Sequence, residues 1–120
     1  MKIIHVKEPG GPEMMQLTEV PKPRPGPKQV LVRIAAIGVN FIDVYFRTGL
    51  YKADLPIVLG NEGAGTVEAV GPEVTEVAAG DRVAWAMSRG CYGEYAVVPA
   101  AAHRDLEGRT TAGKLLLIPQ

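Results

Sequence analysis

Apolar residues along the chain fall into short runs separated by glycine and proline: KIIHVK (2–7), MMQLTEV (14–20), QVLVRIAAIGV (29–39), GTVEAVG (65–71), RVAWAM (82–87), YGEYAVV (92–98) and KLLLIP (114–119). Short runs at this spacing predict an all-β barrel or sandwich rather than alternating βαβ units. VLVRI and TVEAV approach period-two alternation, one face apolar and the other mixed, as in antiparallel strands. The proline-dense VPKPRPGPKQ (Val20 to Gln29) suits neither helix nor central strand, because each proline fixes φ and removes a backbone donor. It predicts a surface connector.

Two stretches break the strand pattern. In NFIDVYFRTGLY (Asn40 to Tyr51), Asn40 stands at an N-cap position and Asp43 follows three residues later, the spacing of a capping box. Gly49 can close the helix in the left-handed conformation. The second predicted helix is AAAHRDLEGR, with Pro99 before it and Gly108 to stop it. GDRVAWAM (Gly80 to Met87) predicts a tight turn leading into a strand, with Asp81 bonding turn amides. YGEY (Tyr92 to Tyr95) predicts the start of a strand, its tyrosines packed with their hydroxyls near water.

Composition narrows the function classes. At 120 residues the chain fits one domain able to build a core without staples. Its 13 basic and 13 acidic residues cancel, and no basic run is interleaved with aromatics, so nucleic acid is not an expected partner. No run approaches the roughly 18 apolar residues of a membrane helix, and the N-terminus meets a glutamate and a Pro-Gly pair too early for a signal peptide. One cysteine, Cys91, cannot form an internal disulfide. The expectation is a soluble, cytoplasmic protein.

Candidate chemistry is thin on residue types alone. In GNEGAGTVEAVG (Gly60 to Gly71), the neighbour of Glu62 is Asn61, a poor metal ligand, and His5 and His103 lie far off in sequence. No metal site is expected. As a dinucleotide fingerprint the same stretch fails, since Gly63 and Gly65 are followed by Glu68 at the third glycine position and by a strand rather than a helix. Its glycines fit close backbone approach or a bend with positive φ. Cys91 reads as a small buried hydrophobe rather than a nucleophile.

The spaced motifs IGVNFIDVYFRTGLY, LPIVLGNEGAGTVEAVG, AAGDRVAWA and GCYGEYAVVP, in this order, resemble the N-terminal, GroES-like half of NADPH-dependent quinone oxidoreductases, the zinc-free branch of the medium-chain dehydrogenase/reductase superfamily. The resemblance runs from Met1 to about Pro99 and implies a mainly β, partly open antiparallel barrel with short helices. It implies that Asn40 lies on the nicotinamide side, that Tyr45 and Tyr51 line a quinone or enone pocket, and that Asp43 and Arg47 organise the segment. A tyrosine hydroxyl or Arg47 would then stabilise the reacting oxygen. Zinc-dependent relatives carry cysteine and histidine where this chain has Asn40 and Asn61.

AHRDLEGRTTAGKLLLIP (Ala102 to Pro119) resembles the extreme C-terminus of the same enzymes, a short helix and a returning strand. Nothing resembling the intervening Rossmann domain is present, which makes residues 100–102 a seam between an N-terminal block (1–99) and a C-terminal block (103–120) of a single domain. The resemblance thus implies a substrate-side domain with NADPH as the parent cofactor, no strong NADPH binding by this chain, and negligible activity alone. It also implies a surface bared for self-association. The alternative is a minimal folding scaffold or a GroES-like binding or assembly module without enzymatic activity.

Overall fold

The longest apolar run becomes the longest strand. In the computed structural model, which describes residues 1–101, QVLVRIAAIG forms β3 (Gln29–Gly38). β5 (Glu62–Val70) pairs along it on one side and β7 (Tyr95–Pro99) on the other, both antiparallel, with β6 (Arg82–Ala86) outside β5. Sandwiched between two partners, the first half of β3 is covered on both faces: Val30, Leu31 and Val32 are all buried, so the alternation expected in VLVRI starts only beyond them. Register shifts between Leu31 and Val32 and between Ile34 and Ala36 bend the strand, as bulges do.

A smaller sheet has the order β2 (Met15–Glu19), β1 (Lys2–Val6), β4 (Ile57–Val58), again antiparallel. The two sheets meet through the segment before β7. The Ile4 N–H donates to the Tyr92 carbonyl (2.8 Å), Gly93 bridges Ile3, and the Ile34 N–H donates to the Glu94 carbonyl (2.9 Å). They do not close into a ring, so the barrel is partly open, as the sequence predicts.

Each apolar run within the described residues forms a strand. The Pro-rich connector is strand-free and ends in a turn at Pro27 and Lys28. It is held to the larger sheet by Lys22, which pairs with Glu68 and lies 4.4 Å from the Tyr95 ring centroid. Asp81 caps its turn by accepting the Ala78 N–H at 2.9 Å. Two features were not legible: β4 is only two residues long, and β5 begins at Glu62, taking in the glycines. The predicted helix over AAAHRDLEGR, beyond Ala101, and the KLLLIP strand lie outside the described residues.

The core has two parts. One lies against the larger sheet and contains Val30, Val32, Val67, Val83, Trp85 and Val98. The other contains Val6, Ile57 and Leu59, with Met14, Met15, Phe46 and Tyr92 packed on it. This second cluster is the floor under the one described α-helix, α1 (Phe41–Thr48).

Gly65 shows why β5 is glycine-rich. A Cβ at this position would run into the Arg33 carbonyl of β3, so any side chain pushes the central strand pair apart. Gly65→Ala is expected to destabilise the domain by about 1–3 kcal/mol, the usual range for overpacking. Urea unfolding checks this; an unchanged midpoint would refute the close-approach reading.

Candidate functional site

Helix α1 has eight residues, too few to persist in isolation, and depends on its ends and its packing. At its N-terminus the Asn40 N–H donates to Asp43 Oδ2 at 2.9 Å, in the capping box that the sequence predicts. At its C-terminus Gly49 adopts φ +85°, the left-handed conformation, with its N–H on the Phe46 carbonyl. Asp43 is the buried residue of the helix, only 4% exposed.

Asp43 does more than cap. Its Oδ1 accepts the Gly60 N–H (3.1 Å), and its Oδ2 also accepts the Tyr92 hydroxyl (3.2 Å). One carboxylate thus joins three separate stretches: the start of α1, the bend before β5 and the loop before β7. The bend and the loop are also bonded to each other, with the Cys91 N–H on the Gly60 carbonyl (3.2 Å) and the Tyr92 N–H on the Leu59 carbonyl (3.0 Å). Gly60 has φ +96°, and a Cβ there would stand 2.6 Å from the Tyr92 ring. The site needs glycine at this position on both counts.

Of the sequence-predicted residues, Asn40 belongs to this hub, while Tyr45, Tyr51 and Arg47 make their contacts elsewhere along and after α1. Asn40 caps α1, and Asn61 is buried next to Gly60, so the two asparagines adjoin the two amides that Asp43 holds. Tyr45 and Tyr51 come together with ring centroids 5.2 Å apart, the Tyr51 N–H donating to the Tyr45 carbonyl (3.1 Å). Phe46 meets Tyr51 edge to face at 5.6 Å, and the Arg89 guanidinium lies over the Phe46 ring, 4.5 Å from its centroid.

Arg47 has an anchoring contact: its Nε donates to the Gly10 carbonyl (3.2 Å), while the Gly10 N–H donates to the Arg47 carbonyl (3.0 Å). The side chain ties α1 to the loop after β1. Around the helix, apolar side chains face outward, with Phe41 80% and Leu50 68% exposed.

Tyr92 is the residue that sequence reasoning placed differently. Its hydroxyl was expected near water, and it instead donates to a buried carboxylate 49 positions away. No local signal carries that information, because the partner is fixed only by the tertiary fold. Burial, then the charge of Asp43 and the hydrogen bond to it, push the Tyr92 hydroxyl up to about 12 against the opposing effect of Arg47. Cys91 is fully buried with its thiol on the Ser88 carbonyl (3.4 Å), and burial pushes it up to about 11. It packs in the core as the sequence suggests, and as a buried thiol it is inert.

Among the described residues, no three His, Cys, Asp or Glu side chains group together to hold a metal ion. No described helix is long and apolar enough to cross a membrane.

Comparison with known proteins adds the following. The sequence profile of the alcohol dehydrogenase GroES-like domain matches residues 26–107. A quinone oxidoreductase of Pseudomonas aeruginosa is 54% identical over 91 residues, covering 74% of this chain and 28% of that protein. Among solved structures, a mycobacterial quinone oxidoreductase superposes with a TM-score of 0.81 at 47% identity, covering 85% of this chain and 32% of the other. The Escherichia coli quinone oxidoreductase in complex with NADPH gives a TM-score of 0.83 at 39% identity, with the same two coverages of 85% and 32%. The chain therefore spans a third or less of the length of these relatives.

Two outcomes follow from the hub. Asp43→Ala strands three donors and is expected to lower stability by about 3 kcal/mol or more, since each orphaned buried group costs about 1–3 kcal/mol. Raised pKa values favour the protonated folded form, so the contributions of Cys91 and Tyr92 are complete below their ordinary values of 9.0 and 10.0. They are lost as pH rises through about 11 and about 12. Urea midpoints measured from pH 8 upward should fall, and Tyr92→Phe should flatten the upper part of that fall; parallel curves for the two proteins would contradict the assignment.

Proposed function

This chain belongs to the alcohol dehydrogenase GroES-like domain family, where its relatives are quinone oxidoreductases of the medium-chain dehydrogenase/reductase superfamily, and from that premise we propose that it is the substrate-side domain of an NADPH-dependent quinone oxidoreductase. The observation that carries the reading is the Asp43 hub, which joins Asn40, Gly60 and Tyr92 on the same helix that carries Tyr45 of the Tyr45 and Tyr51 ring pair. The site works without zinc. Asn40 and Asn61 present carboxamides, which are poor ligands, and both Asp43 oxygens are committed to N–H and O–H donors.

The residues present fit the nicotinamide and quinone ends of such a reaction, not the phosphates. A pyrophosphate would need the free amides of a helix N-terminus, and at α1 that place is taken by the protein's own Asp43 carboxylate. Asn40 would hold the nicotinamide side, while Tyr45 and Tyr51 offer aromatic faces and hydroxyls to a planar quinone or enone. When bound, NADPH supplies the hydride. The chain's part is orientation: Asp43 fixes the cap at Asn40, the Gly60 bend and Tyr92 relative to one another, so the ring pair sits on a rigid base. A tyrosine hydroxyl provides the donor to the developing oxyanion. Arg47, held by Gly10, supports the helix that carries them.

The nucleotide-binding half of such an enzyme would be inserted at residues 100–102, between the blocks 1–99 and 103–120. The exposed Phe41, Leu50 and Met87 are what a surface shaped to meet another domain presents, and they give self-association a route. A cytoplasmic setting agrees with the single, reduced-type cysteine.

Calorimetric titration of the chain with NADPH is expected to give no heat of binding at micromolar concentrations, and NADPH with a simple quinone no turnover above background. A non-reducible quinone analogue at millimolar concentration should shift the NMR signals of Tyr45 and Tyr51. Micromolar NADPH affinity would overturn the half-site reading, and analogue shifts confined to other residues would overturn the pocket.

A further inference from the structure

The turn that leaves β6 holds a backbone conformation that most residues avoid. Met87 has φ +65° and Gly90 φ +104°, both left-handed, and only the glycine adopts this without strain. Strained backbone persists where surrounding contacts hold it, and it clusters at ligand sites. The holding contacts here lie on both sides of Arg89. The Ser88 N–H donates to the Asn61 carbonyl (3.2 Å), while Cys91 donates its N–H to the Gly60 carbonyl (3.2 Å) and its thiol to the Ser88 carbonyl (3.4 Å). Arg89 is the exposed residue between these anchors.

Its side chain is placed as well. The guanidinium carbon lies 4.5 Å from the centroid of the Phe46 ring, and Phe46 in turn meets Tyr51, itself 46% exposed, at 5.6 Å. A cation–π contact engages the charge and leaves the N–H donors for other acceptors. Among the described residues, the Arg89 side chain has no carboxylate or carbonyl partner. Arg47 differs, since its Nε is committed to the Gly10 carbonyl. A positioned guanidinium with unspent donors, one phenyl ring away from Tyr51, is matched by an acceptor from outside the chain.

We propose that Arg89 is a specificity-determining residue that selects planar quinone or enone substrates bearing a carboxylate. The inference rests on the ligand pocket at Tyr45 and Tyr51 argued above and names the substrate class of that pocket. The ring of the substrate lies on Tyr51 and its carboxylate on Arg89, whose planar fork matches a carboxylate through two parallel N–H···O bonds. Because Phe46 touches both groups, the span between them is that of one ring and its substituent. Arg89 selects and orients; it takes no part in the transfer of hydride or proton.

NMR titration of the full chain with 4-hydroxybenzoate and with 4-hydroxybenzamide, rings of equal shape that differ in charge, tests the proposal. The carboxylate is expected to bind about fivefold tighter, the upper end of what an exposed ion pair gives, and to shift both Tyr51 and the Arg89 Nε–H signal. That preference should shrink in high salt. Arg89→Gln should bring the two affinities together, and Arg89→Lys, which keeps the charge without the fork, should restore only part of the difference. Equal binding of acid and amide by the unaltered chain, with Tyr51 shifted by both, overturns the proposal and leaves the pocket standing. A preference that survives in Arg89→Gln assigns the carboxylate to another cation and also overturns it. If neither compound shifts Tyr45 or Tyr51, the pocket reading falls and this inference falls with it.

Discussion

A carboxylate without water must be given donors, and three separate stretches of this domain converge to give them to Asp43. It is buried in the first turn of a helix too short to stand alone, and accepts two backbone N–H groups and a phenol hydroxyl. A charge in that position is tolerable only while every donor is present. The constraint runs both ways: the helix start, the Gly60 bend and the Tyr92 loop are each fixed because the carboxylate holds them. Asn40 and Asn61 inherit their places from this arrangement.

The hub also accounts for the chemistry of its neighbours. Tyr92 donates to the same oxygen that accepts from Asn40, so it is kept protonated by its surroundings and acts as a strut between helix and loop. Tyr45, within the helix, and Tyr51, just beyond it, instead meet ring against tilted ring with centroids 5.2 Å apart. Tyrosines thus divide between a strut and a ring pair according to whether a buried acceptor lies within reach.

Much of this was legible in the sequence. The strand runs, the Pro-rich connector, the capping box and the Gly49 stop are local patterns, and local patterns survive when tertiary contacts support them. The identity of the fold was legible in the spacing of four motifs. Features set by distant partners were hidden: the close backbone approach expected of the β5 glycines was legible, but not that Arg33 is the partner lying against Gly65, and Tyr92 read as a phenol near water because Asp43 is half the domain away. The two-residue β4 is too short for any periodicity to show.

The distances along the chain between these partners bear on how the domain is born. The cap joining Asn40 and Asp43 is formed by residues three apart and can arise as soon as that turn emerges, but the same carboxylate has no hydroxyl partner until Tyr92 has been made. β3 waits likewise for β7, which pairs its first residue with Pro99. Nearly the whole described chain must therefore exist before either the central sheet or the Asp43 hub is complete. A topology dominated by such remote pairings folds late and slowly, on the scale of milliseconds to seconds, and the Asp43 hub is among the last parts to be assembled.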